Sequence, residues 1–264
     1  MALPTSGQIT LNQIHVEAGG TSGSYVTIND ADIRGLSPAA GKTINTASGS
    51  IISFSDLHGA SSGLSLVTHG AIINTNGDAT SYSGSLSASC QAGDVVVVVK
   101  ATGYGDYNFG TNTINGGSVT TRRNERDWYN PLYSHFVIFD KTLTSAASSI
   151  SLSCSEGSYN RQGMYCYAFL LRGGATYKDQ ASGPNNGTTH TVDSGASGNF
   201  LFSAIMTDDQ YAIPSMGYGY DGSYTFNMQM HMRVYWQMTT DSSATISKSV
   251  TTAGSAAATL IYEP

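Results

Sequence analysis

The chain has 264 residues, only 11% of them charged, and 12 basic against 18 acidic side chains give a formal net charge of −6. Nucleic-acid binding relies on clustered Lys and Arg, so we expect no nucleic-acid partner. The apolar runs of the chain have the length of a strand, well short of the roughly 20 residues of a membrane-spanning helix. Residues 1–4 lack the charged and apolar regions of a signal peptide. We therefore expect synthesis in a cytoplasm and no membrane insertion.

The first 60 residues repeat one short pattern three times, a helical start signal followed by a glycine stop. Thr10 and Gln13 form the T-x-x-Q pattern of a capping box, and a Gly pair at 19–20 ends this first turn. The second turn, within 27–34, stops at Gly35, and the third, within 53–58, stops at Gly59. The pattern predicts one or two helical turns at each place.

Helices this short do not persist alone in water, because nucleation costs more than a few hydrogen bonds return. We therefore predict that residues 1–60 form a small module that docks on something else, and that this segment alone is largely disordered. The candidate attachment interface consists of its apolar residues Ile9, Leu11, Ile14, Val16, Ile28, Ile33, Leu36, Ile52, Phe54 and Leu57.

Residues 3–14, 17–20, 29–36 and 52–59 resemble, in order and spacing, an N-terminal segment of virion structural proteins of tailed bacteriophages, particularly marine ones. In that family the segment looks like an attachment module joined to a variable β-rich part. The resemblance covers residues 1–60 and fades beyond them. It implies a virion component, made in the host cytoplasm, with other virion proteins as partners.

Beyond the small, uncharged linker 61–63, residues 64–264 predict strands at intervals of roughly ten to twenty residues. Residues 95–99 are apolar at both parities, which predicts a strand covered on both faces. No helix-length amphipathic pattern and no strong internal repeat is evident. The predicted fold class is mainly β: a small N-terminal module with short helical turns, then an antiparallel β-sandwich or jelly-roll-like domain.

The arginine cluster and the cysteines are both interpreted as structural features. Arg122, Arg123 and Arg126 alternate with acidic residues and predict a self-compensating polar loop. The cysteines lie in strand-like stretches and are interpreted as small buried hydrophobes, with a bridge between Cys154 and Cys166 as the alternative. The histidines are dispersed, so we expect no metal site, and no cofactor is indicated.

Catalytic motifs are weak, and we expect a protein that is not an enzyme. The neighbours Asp208 and Asp209 would point in opposite directions in an extended chain, whereas paired catalytic carboxylates must face each other. Aromatic rings in Gly-rich stretches instead suggest binding, to a host glycan or to another subunit. These candidate contact residues are Tyr104, Tyr107, Phe109, Trp128, Tyr129, Tyr218 and Tyr220.

We accordingly predict a non-enzymatic structural component of a tailed-phage virion. The leading hypothesis is a tail-associated, oligomeric protein, a short fibre or a baseplate-peripheral component, that docks through its N-terminal module. One alternative is a capsid decoration or knob protein on the head. A third hypothesis, a glycan-binding module for host attachment, overlaps the first.

Overall fold

The computed structural model describes residues 3–36, 38–39, 42–60, 63–75, 79–102, 109–126, 135–156, 163–183, 189–193, 198–208, 220–226, 230–238, 245–249 and 255–264. Its helical elements are α1 (Leu11–Glu17), α2 (Ala31–Arg34) and a 3₁₀ turn (Phe54–Leu57). The first strands are β1 (Ser65–Thr75), β2 (Ser81–Cys90), β3 (Val95–Thr102), β4 (Phe109–Ile114), β5 (Gly117–Ser118), β6 (Thr120–Arg126), β7 (His135–Thr142), β8 (Ala147–Glu156) and β9 (Met164–Arg172). They are followed by β10 (Thr176–Gly183), β11 (Thr189–Asp193), β12 (Phe200–Asp208), β13 (Tyr220–Phe226), β14 (Met230–Met238), β15 (Thr245–Ser249) and β16 (Ser255–Glu263). The mainly β fold class predicted from the sequence is confirmed.

The strands form stacked antiparallel sheets. The central sheet has the order β1-β9-β3-β7-β6, the outer sheet β2-β8-β4-β5, and the C-terminal sheet β10-β16-β12-β14-β13, while β11 and β15 form a two-stranded ribbon. One hydrophobic cluster lies between the central and outer sheets, and a second lies between the central and C-terminal sheets. The sandwich therefore has a further layer beyond the usual two, because the central sheet is packed on both faces.

Strand β3 forms where the sequence pattern predicts a strand covered on both faces. It lies between β9 and β7. Val97 and Val99 point into the cluster shared with the C-terminal sheet, while Val96 and Val98 point into the cluster shared with the outer sheet. All four are fully buried, as expected for a run that is apolar at both parities.

The predicted arginine loop is wrong, because these residues form strand β6 at the edge of the central sheet. Arg122 donates from Nε to Asp140 Oδ2 at 2.7 Å, and its guanidinium lies 4.8 Å from the centre of the Tyr177 ring. Charged side chains are common on edge strands, where they discourage pairing with other chains. Because its side chains are polar and charged, the sequence of β6 resembles that of a loop.

Gly63 is the one residue of the predicted linker 61–63 that the structure describes, and there the chain lies close to the β body. Leu64 is buried in the cluster between the central and C-terminal sheets. A Cβ on Gly173, at φ +107°, would lie 1.7 Å from the carbonyl oxygen of Gly63. Only glycine allows so close a backbone approach, so Gly63 and Gly173 hold the chain against the body at this point.

Cys90, Cys154 and Cys166 are free and buried, which confirms their interpretation as small hydrophobes and leaves the alternative bridge unformed. Among the described residues, no helix has the length and apolar character needed to cross a membrane.

Candidate attachment surface

The short helical turns of the N-terminal module pack on one another. Their shared core of buried residues comprises Leu3, Ile9, Ile14, Ile33, Leu36, Ile44, Leu57 and Ala60. The two ends of the module also meet, because Leu3 N donates to Ala60 O at 2.8 Å and Gly59 N donates to Pro4 O at 3.0 Å. In the intact chain the module thus supplies the packing surface that its turns require.

The start and stop signals of the first turn work as the sequence predicts. Gln13 N donates to Thr10 Oγ1 at 3.2 Å, and Thr10 N donates to Gln13 Oε1 at 2.7 Å, so the capping box is complete. After the helix, Gly19 adopts φ +94° and Gly20 N donates to His15 O at 2.8 Å. These bonds satisfy backbone groups that a short helix would otherwise expose.

Aspartate side chains fix the entrances to the other two turns. Asp30 accepts from both the hydroxyl and the backbone N–H of Thr27, at 2.6 and 2.9 Å. Asp56 accepts from Ser53 N at 2.8 Å. Hydrogen bonds to a carboxylate favour its charged form, so the pKa of Asp30 is lowered, chiefly by the Thr27 hydroxyl, and that of Asp56 chiefly by Ser53 N–H.

Arg34 organises the middle of the module from a buried position. The residue is 4% exposed. Nη1 donates to Asn45 O at 2.7 Å and to Ser50 Oγ at 2.9 Å, Nη2 donates to Ser50 O at 2.7 Å, and Nε donates to Asn29 Oδ1 at 3.0 Å. One planar group therefore ties α2 to the segment around residue 50.

The predicted interface residues divide into three groups by burial. Ile9, Ile14, Ile33, Leu36 and Leu57 are buried in the module core, whereas Leu11, Ile28 and Ile52 are partly buried, and Val16 and Phe54 are exposed. The five buried residues cannot contact a partner while the module is folded. The attachment prediction therefore narrows to the residues with accessible surface.

Two exposed residues, Tyr25 and Ile51, were missing from the predicted interface, and each is 92% exposed. Phe54, at 43%, and Val16, at 38%, are the other large hydrophobic side chains found exposed among the described residues. All four lie in the module. Tyr25 and Ile51 stand in Gly- and Ser-rich stretches without helical periodicity, so the only sequence signal was an isolated large apolar residue in a polar loop.

A cleft of about 750 Å³ separates the module from the β body. Val16 and Glu17 of α1 line one side, and Arg172 lines the other. The Arg172 guanidinium is fixed by Asp94, which accepts from Nε at 2.9 Å and from Nη2 at 2.8 Å. This paired hydrogen bond raises the pKa of Arg172, so the wall of the cleft keeps its charge.

The aromatic candidates fall outside the described side chains. Tyr104, Tyr107, Trp128, Tyr129 and Tyr218 are not among the described residues, and only the strand positions of Phe109 and Tyr220 are described. Thr102 and His135 flank the aromatic candidates between residues 103 and 134 in the sequence, and they pair with each other. Their pair lies at one end of β3, and the pair of Val95 and Leu171 lies at the other end. Because Leu64 precedes Ser65, which pairs with Arg172, the module joins the body at the Val95 end.

Within the described part of the chain, no group of three or more His, Cys, Asp or Glu side chains is arranged to hold a metal ion. Comparison with known proteins found no matching family model, no matching curated protein and no matching solved structure.

Proposed function

We propose that this protein is a non-enzymatic structural component of a tailed-phage virion, associated with the tail, and that its N-terminal module attaches it to the particle. The observation that carries the proposal is that, among the residues the structure describes, the exposed large hydrophobic side chains all lie in the module. Exposed apolar residues are favourable anchors for a protein partner, because their burial removes apolar surface from water. This agrees with the resemblance of residues 1–60 to a virion attachment segment.

The geometry of the β body supports a role in which one end is bound and the other projects. The module joins the body at the Val95 end of the central sheet, and the strands run from there to Thr102. In the described part of the body, two clusters of large apolar side chains are buried on either face of the central sheet. A β body joined at one end to a small module is the arrangement expected of a short fibre or baseplate-peripheral protein.

The proposal is tested by placing a charge at the exposed anchors. We expect Tyr25→Asp and Ile51→Asp to leave the melting temperature unchanged, because neither side chain belongs to a core, and to reduce incorporation of the protein into particles at least tenfold. An unpaired carboxylate buried in an apolar contact costs several kcal/mol, which is enough for that loss. Incorporation is measured by immunoblotting purified particles assembled with each variant.

Ser145→Asp is the matched control, because it adds the same charge at an exposed position of the β body. This variant should enter particles normally. Normal incorporation of both module variants would show that the module surface is not the attachment site. Ile14→Asp is unsuitable for this purpose, since Ile14 is fully buried and the change would disrupt the module itself.

A further inference from the structure

The strand order of the C-terminal sheet repeats that of the central sheet. The orders β10-β16-β12-β14-β13 and β1-β9-β3-β7-β6 coincide when β1, β3, β6, β7 and β9 are matched in chain order with β10, β12, β13, β14 and β16. The ribbon matches as well, because β11 pairs with β15 as β2 pairs with β8. Strands β4 and β5 lie between β3 and β6, and the corresponding segment 209–219 is outside the described residues. We call residues 64–172 unit one and residues 176–263 unit two.

The pairing registers of the two units agree residue by residue. Val95 pairs with Leu171 and Thr102 with Met164 in unit one. At the same two positions of unit two, Phe200 pairs with Tyr262 and Thr207 with Ser255. The paired stretches 95–102 and 200–207 therefore have the same length and the same register, in addition to equivalent neighbours.

The positions of the β-bulges also agree between the two units. The edge strand β1 has a bulge directly after Leu66, the partner of Leu171, and β10 has a bulge directly after Tyr177, the partner of Tyr262. The edge strands at the other side, β6 and β13, are each bulged opposite the same stretch of β7 and β14. Bulges are specific features of a family of structures, so their coincidence at two edges argues strongly for a common origin.

The sequence retains a faint trace of the repeat. A constant offset relates residues 135–156 to residues 231–252, aligning His135 with His231 and Ile150 with Ile246. Leu86 pairs with Ile150, and Val192 pairs with Ile246, as this alignment requires. Only five of the 22 aligned residues are identical, which explains why no strong repeat is evident in the sequence alone.

The two units also bury the same face against each other. Unit two contributes to the shared cluster Phe200, Phe202, Ala204, Met206, Met232, Val234, Ala258, Leu260 and Tyr262. By the registers above, their equivalents in unit one are Val95, Val97, Val99, Ala101, Phe136, Ile138, Tyr167, Phe169 and Leu171, and all nine belong to the same cluster. A contact in which both partners use the same surface is the mark of a twofold dimer.

Contacts across the cluster are reciprocal at the level of strands, as a twofold arrangement requires. Asp140 on β7 accepts a 2.8 Å hydrogen bond from Tyr262 on β16. Trp236 on β14 is the equivalent of Asp140, and β9 is the strand equivalent to β16. The ring centroid of Trp236 lies 5.7 Å from that of Phe169 on β9. Each unit thus applies its fourth sheet strand to the second sheet strand of the other.

We propose that units one and two are copies of one ancestral β unit, and that the face between them is a self-recognising docking surface whose occupant in this chain is the other copy. A second chain can supply the same occupant if a unit cannot reach its own neighbour. Unit exchange between two chains is then the expected response to a link that is too short.

The link between the units gives a direct test in the full chain. Deleting residues 173–175 joins Arg172 directly to Thr176, a step of about 3.8 Å across sheets packed about 10 Å apart. We expect the deletion variant to have twice the mass of the unaltered chain by size-exclusion chromatography with light scattering, and to retain its β circular-dichroism spectrum. The matched control deletes residues 91–93 between β2 and β3, which breaks a unit internally and should not double the mass. A folded deletion variant of unaltered mass, or equal masses of the two deletion variants when both are soluble, would overturn the proposal.

A milder pair of variants decides the matter if both deletions aggregate. Gly174 has φ +82° and Gly116, in the β4–β5 hairpin, has φ +69°, and a Cβ at either position meets no atom within 4 Å. Valine strains the backbone at both positions, but only Gly174→Val strains the link between the units. We expect a dimer fraction at least threefold higher for Gly174→Val than for Gly116→Val, and equal dimer fractions would refute a self-recognising face.

Discussion

Two buried polar side chains each join separate segments of the fold through hydrogen bonds. Arg34 serves four acceptor contacts inside the module, and Asp140 accepts from both Arg122 and Tyr262, which lie in different sheets. Buried polar groups cost free energy unless they are paired, so such networks restrict the alternative packings that an apolar core would tolerate. In both places one residue fixes the relative position of elements that are distant in sequence.

Ionisation of Tyr262 should make the stability of the β body depend on pH in the alkaline range. Its pKa is raised well above the ordinary value, first because burial disfavours the phenolate and then because the Asp140 carboxylate lies beside it. Above about pH 10 an unfolded tyrosine releases its proton while the folded one keeps it, so the free energy of unfolding falls as pH rises, by up to about 1.4 kcal/mol per pH unit.

Tyr262→Phe removes this proton and should reduce the decline in stability between about pH 9 and 11, although it also removes the hydrogen bond to Asp140 at every pH. Urea unfolding of both proteins across that range measures the difference. Parallel pH profiles would contradict the proposed linkage.

At the scale of elements, the Thr10 cap supports α1 in a measurable way. Thr10→Ala removes the hydroxyl that accepts from Gln13 N, and loss of an N-cap costs about 1 kcal/mol. We expect about fivefold faster hydrogen exchange of the α1 amides, measured by mass spectrometry on the full chain. Thr43→Ala, at an exposed position of the same module, is the control. Unchanged exchange in Thr10→Ala would mean that packing alone holds the helix.

The sequence predicts those elements whose residues interact locally or alternate clearly. Thr10 and Gln13 define a cap within four residues, and the apolar run 95–99 defines a central strand. Strands β6, β10 and β11 are not evident from the sequence, because each carries polar or charged residues at alternate and consecutive positions and gains its strand form by pairing with a neighbour. The role of Ile14 and Ile33 as core was missed for the same reason: which surface a helical turn buries depends on contacts distant in sequence.

At the scale of the whole molecule, the module and the body have separate hydrophobic clusters, and packing between the described helices and strands is sparse. We therefore expect two unfolding transitions, with the small module melting first because it buries less apolar surface. Calorimetry of the full chain measures both transitions.

Core truncations assign the two transitions. Ile14→Ala should lower only the first and Phe169→Ala only the second, since each side chain is fully buried in one cluster and such changes cost about 2–5 kcal/mol. Hydrogen exchange identifies which residues open in each transition. If either substitution shifted both transitions equally, the module and the body would form one cooperative unit. The module could then not serve as an anchor whose folding within the chain is separate from that of the body, and attachment would have to involve the body as well.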